Sequence, residues 1–471
     1  MSAHPDESPQ AAKAGHPAAA RATSIRHAVL LATTLAAFLM YLDRICISWI
    51  LESDSFKSEI KLDPLSPAEE KQAKQATSSP GVPAQSKAKR PEPQKDWIKV
   101  AFFWAYALAQ VPAGWLAERF GKRFLMSALI LLWSLFTALT SFANGFEMLL
   151  LARLGCGLAQ AGAYPIAGSL ISKWVIFQRR GLASSIVSLG GRLGGALAPI
   201  ITAYVIGMSS NWRMAGWVYG AVGVGVAAAF WYIFRERPEE HPACNDAEVE
   251  LLAEGRPPPA PTVVAPFPLR AVLSNASLWM MCGMQFLTNV GWAFVINSIP
   301  TYFKEVLKLS DNENGRISTV VLIIGFIGLI AGGFVTDICG RVLGVRLGRM
   351  LPIALTRFLA AAFFLLCLTT TNSWMLAGFL GLMAFCTDAG IPATWAYAQD
   401  VGGQQIAPIL GWANMWGNFG AALQPQIISL VNQQWDTNGD YHEAFLVSAG
   451  AFALAGLLSL GINAARPVVK E

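Results

Sequence analysis

Charged side chains are scarce in this chain. Asp, Glu, Lys and Arg make up 14% of its residues, against about 25% in an average soluble domain. With 54% hydrophobic residues over 471 positions and a mean hydropathy of +0.44, that scarcity excludes a large soluble enzyme. Cysteines are few, seven in all. Most of them (Cys46, Cys156, Cys282, Cys367, Cys386) lie in apolar stretches without metal-ligand spacing and read as small packing residues. No nucleophile–base pair and no metal cluster falls in those stretches, so neither an enzyme nor a cofactor or metal is expected. No soluble segment is large enough to serve as the output domain of a sensor. Glycine-rich runs such as Ser188–Gly195 follow no strand and precede no GK[ST], so they read as helix-packing surfaces and not phosphate loops. No nucleic-acid partner is expected. Residues 52–96 contain no Asn, hence no glycosylation sequon.

What the chain does have is apolar length. About 20 apolar residues span a bilayer as a helix, and twelve such windows can be drawn: roughly 27–51, 97–117, 124–144, 146–173, 181–207, 214–235, 275–302, 315–337, 351–370, 374–396, 406–430 and 442–465. The fold class expected is therefore an all-α membrane protein of twelve transmembrane helices in two six-helix bundles. Basic residues gather in alternate short loops: Arg119, Lys122 and Arg123; Lys173, Arg179 and Arg180; Arg341, Arg346 and Arg349. The positive-inside rule puts these loops in the cytoplasm. Arg21, Arg26, Arg466 and Lys470 put both termini there too.

The resulting organisation has five parts. Residues 1–26 read as a disordered cytoplasmic tail with no cleavable signal. Residues 27–235 form an N-terminal bundle, with 52–96 as a flexible extracytoplasmic insertion of balanced charge. Residues 236–270 form a Pro-rich cytoplasmic linker, in which AEVELLAEG reads as a short surface helix. Residues 271–465 form a C-terminal bundle, and 466–471 a cytoplasmic tail. The halves echo each other: Gly114–Arg123 reads GWLAERFGKR and Gly333–Arg341 reads GFVTDICGR, each with an acid four residues after the glycine. Paired bundles of this kind suit a transporter with its site near the midplane.

Five charges within the apolar windows stand out: Asp43, Arg44, Arg153, Arg192 and Asp388. An ionised group at membrane depth costs roughly 2.5–3.5 kcal/mol on insertion scales, so each must face a cavity, a counter-ion or a substrate. Their excess is positive, which points to a path for an anion. Asp43 and Arg44 are adjacent, and adjacent helix residues point about 100° apart. They make a poor pair with each other, and one can face the cavity while the other faces a neighbouring helix. A planar guanidinium such as that of Arg153 grips a carboxylate or phosphate through two parallel hydrogen bonds.

GWLAERFGKR resembles the loop signature of the major facilitator superfamily, with Glu118 in place of the usual Asp and Lys122 in place of an Arg. YLDRICIS, RLGCGLAQAGAYP, NWRMAGWVYGAVG, RPEEHP, SIPTYF and GWANMWGNFGAALQP resemble, in that order, the anion:cation symporter family, which includes bacterial hexuronate and other sugar-acid:proton symporters. The resemblance covers nearly all of the chain outside the N-terminus and the insertion. It implies a secondary transporter working by alternating access on a small organic anion such as a hexuronate, aldonate or aldarate, with proton symport and as a monomer; the absence of sequons in 52–96 and the short cytoplasmic tails point to a bacterial inner membrane. The alternative is an exchanger of organic anions or organophosphates without proton coupling. The implied partners are the anion, protons or a counter-anion, and the lipid bilayer.

By the same resemblance, Arg44, Tyr106 and Arg153 would contact substrate, Asp43 would couple protons, and Glu118, Arg119 and Arg123 would gate. The residues themselves add Gln160, Arg192, Asn414 and Asn418 as expected substrate contacts, Asp388 as a second proton-coupling candidate, and Asp337 and Arg341 as the matching gate of the second half. Two positions depart from the family. Gln160 stands where the sugar-acid carriers place a titrating glutamate, and it cannot titrate. Arg192 stands where a neutral polar residue is usual. Together they make the pocket more positive and favour a more highly charged anion, unless Arg192 pairs with Asp388 or Asp43. An interhelix ion pair is the structural alternative for Asp43 and Arg44. The many tryptophans read as interface anchors or packing residues more than as sugar platforms.

Overall fold

A computed structural model describes residues 21–62, 93–254, 266–435 and 441–468. The expected disorder before residue 21, most of the 52–96 insertion, linker residues 255–265 and Lys470 lie outside the described residues. Among the described residues, ten helices are long and apolar enough to cross a membrane. Two further crossings complete the twelve. The fourth is broken between Phe146–Gln160 and Ala163–Trp174. The eleventh, Ile406–Gln434, carries the run of amides that lowers its hydropathy.

The first to third spans are Ile25–Glu52, Pro93–Phe120 and Lys122–Thr140. The fifth and sixth are Arg180–Ser209 and Arg213–Ile233. The second half runs through Ala276–Asn297, Asp311–Val342, Gly344–Cys367, the tenth span Ser373–Ala389 and Ile391–Val401, then the eleventh, and His442–Leu460. The tenth span breaks at Gly390 as the fourth breaks at Ala161–Gly162, so the repeat extends to the interruptions. Side chains cap several starts: Asn275 and Asn372 accept from the first turn of the seventh and tenth spans, and Ser310 with Glu313 closes a capping box on the eighth.

Large apolar side chains such as Leu31, Ile200 and Leu355 are exposed on the outer surface. In lipid that costs nothing, and helix association rests instead on close packing and polar contacts. The glycines of the fifth span do this work. A Cβ on Gly194 would lie 2.1 Å from the Phe38 carbonyl oxygen, and one on Gly190 would lie 2.6 Å from Thr34 Cγ2, so the fifth span lies directly on the first. Across the halves, the second span packs on the eleventh and the fifth on the eighth.

The linker helix Asp246–Ala253 matches the short helix expected there. Its buried Glu248 accepts from the Thr23 hydroxyl, from the backbone N–H of Ile25 (3.2 Å) and Arg26 (3.1 Å), and from the Arg26 guanidinium (3.0 Å). The linker thus caps the start of the first span. Burial works to raise this carboxyl, but the Thr23 and backbone hydrogen bonds and the Arg26 charge outweigh it and hold it below its usual range.

Candidate functional site between the halves

Asp43 and Arg44 diverge as adjacent helix residues must. Asp43 is fully buried inside the N-terminal half, beside Trp133 and Arg153, and neither carboxylate oxygen has a hydrogen-bond partner. Arg44 turns the other way. Its guanidinium carbon lies 4.3 Å from the ring centre of Tyr106, 4.6 Å from Tyr41 and 4.9 Å from Phe102. Its Nε donates to Gln160 Oε1 at 3.4 Å, while its buried Nη2 has no partner. Three aromatic faces hold the cation in place by cation–π attraction and leave one donor to be satisfied. A buried donor without a partner costs about 1–3 kcal/mol, and a carboxylate oxygen is the group that would recover it.

Arg153 stands behind this group. Its Nη2 donates to the backbone carbonyl of Arg44 at 3.3 Å and its guanidinium lies 4.6 Å from the Phe102 ring, so one ring is shared by two cations. Arg153 Nε is buried without a partner. Asp43, Arg153 and Arg44 therefore form a chain from the core of the N-terminal half to Tyr106 and Gln160. Gln160, held also by its contact to Cys156 Sγ (3.5 Å), offers its oxygen to Arg44. The C-terminal half closes the group through amides. Asn414 donates to Gln110 Oε1 at 2.7 Å and lies within reach of Tyr106. Asn418 donates to the carbonyl of Asn414, one turn back on the same helix, at 2.8 Å.

Arg192 and Asp388 meet across the halves. Arg192 Nη2 donates to Asp388 Oδ1 at 2.6 Å, and the guanidinium lies over Trp292 at 4.8 Å. Tyr164 links the two groups: its ring lies 5.9 Å from Tyr41 and 5.1 Å from Trp395, and it sits in the field of both Arg44 and Arg192. Trp292 and Trp395 thus pack against residues of this region. Arg357 was missed by the sequence reading. It is buried in the ninth span and donates to the carbonyls of Thr387 (3.0 Å) and Cys386 (3.5 Å), where the tenth span breaks. Its place within PIALTRFLAAAFFLLC was the available signal. Arg349 and Asp400, a buried pair at 2.8 Å, were likewise unannounced.

At the end that carries the termini, the two signature loops act on the opposite half. Asp337 accepts from the backbone N–H of Gly181 (2.8 Å) and Leu182 (3.0 Å), the start of the fifth span. Glu118 accepts from Ala407 N at 3.4 Å, at the start of the eleventh, and from Ser169 Oγ at 2.8 Å. A carboxylate at a helix N-terminus is favoured by the unsatisfied N–H groups and the helix dipole. The signature glycines permit the approach: a Cβ on Gly114 would lie 2.7 Å from the Ala407 backbone, and one on Gly333 would lie 2.4 Å from Ser185 Oγ. The ion pair of Glu118 is with Lys122 (2.5 Å), not with Arg119 or Arg123. Glu118 lies near the end of the second span and Lys122 opens the third, and the turn at Gly121 (φ 90°) brings the two together, whereas Arg119 lies by Trp115 and Phe120, and Arg123 over Trp231 at 4.2 Å. Arg341 donates to the backbone carbonyl of Asp337 (3.3 Å).

The sequence pattern of the Major Facilitator Superfamily matches residues 33–425, and again 282–470. The chain belongs to this family. It is a multi-pass membrane transporter and not an enzyme. Among its relatives are the probable galactarate/D-glucarate transporter GudP of Escherichia coli, 28% identical over 77% of this chain and 83% of the relative, and the probable sulfoacetate transporter SauU of Cupriavidus necator, 25% identical over 77% and 83%. In fold it is similar to the crystal structure of the human organic anion transporter MFSD10 (TETRAN), with a TM-score of 0.66, 16% identity, and coverage of 93% of this chain and all of that one.

Proposed function

We propose that this chain is a secondary carrier for a small organic anion, a sugar acid, bound between the two halves. The observation that carries this reading is the Arg44 guanidinium, caged by Tyr41, Phe102 and Tyr106, with a buried Nη2 that has no partner. A carboxylate supplies the missing acceptor. Gln110, Gln160 and Asn414 supply the amide donors and acceptors that suit a polyol chain. Relatives named for galactarate and D-glucarate support the sugar-acid class. Asn418 holds the helix segment that presents Asn414.

Protons drive uptake in this reading. Asp43 is the principal titrating group, because its carboxylate reaches the cavity through Arg153 and the Arg44 backbone; Asp388 is the second candidate. The signature loops bind each half to the other half's helix starts on the cytoplasmic side. Releasing Glu118 from Ala407 and Asp337 from Gly181 and Leu182 lets the halves rock and expose the site there, with Arg119, Arg123 and Arg341 anchoring the same surface. Both termini are cytoplasmic, the membrane is a bacterial inner membrane, and a monomer suffices.

The test is uptake into proteoliposomes of labelled galactarate, galactonate, sulfoacetate and an organophosphate, with and without an inward proton gradient. Sugar-acid uptake accelerated by the gradient supports the proposal. Uptake indifferent to the gradient but dependent on anion loaded inside would replace symport by exchange. No sugar-acid uptake under either condition would remove the substrate class.

A further inference from the structure

Four arginines and two aspartates lie together in the middle layer of the spans: Arg44, Arg153, Arg192 and Arg357 against Asp43 and Asp388. The surplus is two positive charges. Uncompensated charge at membrane depth is costly, and the surplus matches an anion that carries two negative charges. The arginines are not equally available. Arg153 and Arg357 are engaged on backbone carbonyls. Arg44 lies over the Tyr41 ring, which packs on Tyr164, and Arg44 and Arg192 both act on the two hydroxyls. A chain with a negative group at each end could rest one end on Arg44 and the other on Arg192, with the tyrosine hydroxyls between.

Asp388 holds Arg192 now. The side chain of Arg192 is 22% exposed and that of Asp388 is 1% exposed, so Arg192 is the more accessible member of the pair. Trp292 supports the guanidinium plane from the C-terminal half, which keeps it in place when its partner changes. Arg357 is the other cation acting on Asp388. It is anchored at the break of the same helix, and its buried Nε has no hydrogen-bond partner.

We propose that Asp388 is an internal counter-anion for Arg192, that the second negative end of a doubly charged substrate displaces it, and that Arg357 receives it. The ion pair spans residues 196 positions apart and joins the fifth span to the tenth, so the exchange also loosens a contact between the halves when the right substrate binds. The carrier is therefore selective for dianions, such as an aldarate, over the monoanionic aldonate of the same skeleton. The proposal rests on the sugar-acid reading.

The experiment is a binding titration on purified, detergent-solubilised full-length protein, read by ligand-induced thermal shift, with galactarate and galactonate as probes. Wild type should prefer galactarate by about tenfold, within the 5- to 150-fold range of coupled sites. Asp388→Asn should tighten galactarate binding, because the competitor is gone, and Arg192→Gln should collapse the preference towards one. The neutral double variant R192Q/D388N leaves neither charge of the pair without its partner and should behave as Arg192→Gln. It carries the test if either single variant does not elute as a folded species. Asp388→Asn weakening both ligands equally, or an Arg192→Gln variant that keeps its preference, would overturn the displacement while leaving the sugar-acid reading intact. Failure of wild type and Asp388→Asn to bind either acid would overturn both.

Discussion

The two halves of this carrier share a scaffold and divide the chemistry. Each is six spans with one interrupted helix at the same place, and each sends an acid from its signature loop to a helix start of the other. Around the charged residues within the spans the likeness ends. The N-terminal half carries Arg44 and Arg153, each with a buried nitrogen lacking a hydrogen-bond partner. The C-terminal half contributes amides, a carboxylate that is already paired and two arginines, Arg349 held on Asp400 and Arg357 on two backbone carbonyls, of whose buried nitrogens only the Arg357 Nε is left without a partner. Repetition builds the moving frame, because both halves must close on each other. Binding needs asymmetry, because one anion has to be gripped by unsatisfied donors and released when the opposite wall moves.

The sharpest way to break this comparison is to remove a cation from the N-terminal half. Arg44→Ala and Arg153→Ala should each cut uptake in proteoliposomes by roughly 10- to 150-fold, the worth of a hydrogen bond to a charged group at about 1.5–3 kcal/mol. Expression and elution should stay near normal. Full activity in Arg153→Ala would remove its assigned role. Arg349 offers the contrast from the other half: Asp400→Asn leaves a buried guanidinium unpaired, an error worth about 3–5 kcal/mol of stability, so it should lower thermal stability more than it alters substrate preference.

The loops allow a finer division. Asp337 makes two backbone contacts near 3 Å where Glu118 makes one at 3.4 Å. Asp337→Asn should therefore slow turnover more than Glu118→Gln, with a cap worth about 0.5–2 kcal/mol at stake; equal effects would mean the two latches are equivalent. Gln160→Glu places an acid against Arg44 and should change the pH dependence of uptake, and an unaltered profile would take this position out of the coupling path.

The smallest expected effect lies outside the membrane. Glu248 is held below the usual carboxylate range by its hydrogen bonds, so the charge-dependent part of its contribution is complete above an unfolded pKa of about 4.3. It is lost as pH falls through the lower folded value. Thermal unfolding of Glu248→Gln should fall below wild type at neutral pH, and the gap should narrow on acidification through that window. A gap independent of pH would mean that shape alone, not charge, joins the linker to the first span.

Much of this was legible in local sequence. Each span announces itself within its own 20 residues, and the broken fourth and tenth spans were still read as single crossings. Arg44, Tyr106 and Gln160 were singled out one by one, and the structure brings them into contact. Arg357, Tyr164 and Gln110 were not, because a lone polar residue in an apolar run has the same local appearance whether it faces a cavity or a neighbouring carbonyl. The pairing of Arg192 with Asp388 was an open alternative that only packing could resolve.

Composition along the chain determined the class, the number of crossings and the sign of the surplus charge. Lipid is a solvent that each segment meets separately, so its demands are written segment by segment. Tertiary structure alone decided which cations are engaged and which keep a nitrogen without an acceptor. Those partners come from other helices, 30 residues along the chain for Arg357 and Thr387 and 196 for Arg192 and Asp388, and whether a guanidinium meets a carbonyl, a carboxylate or an aromatic face depends on how the helices cross.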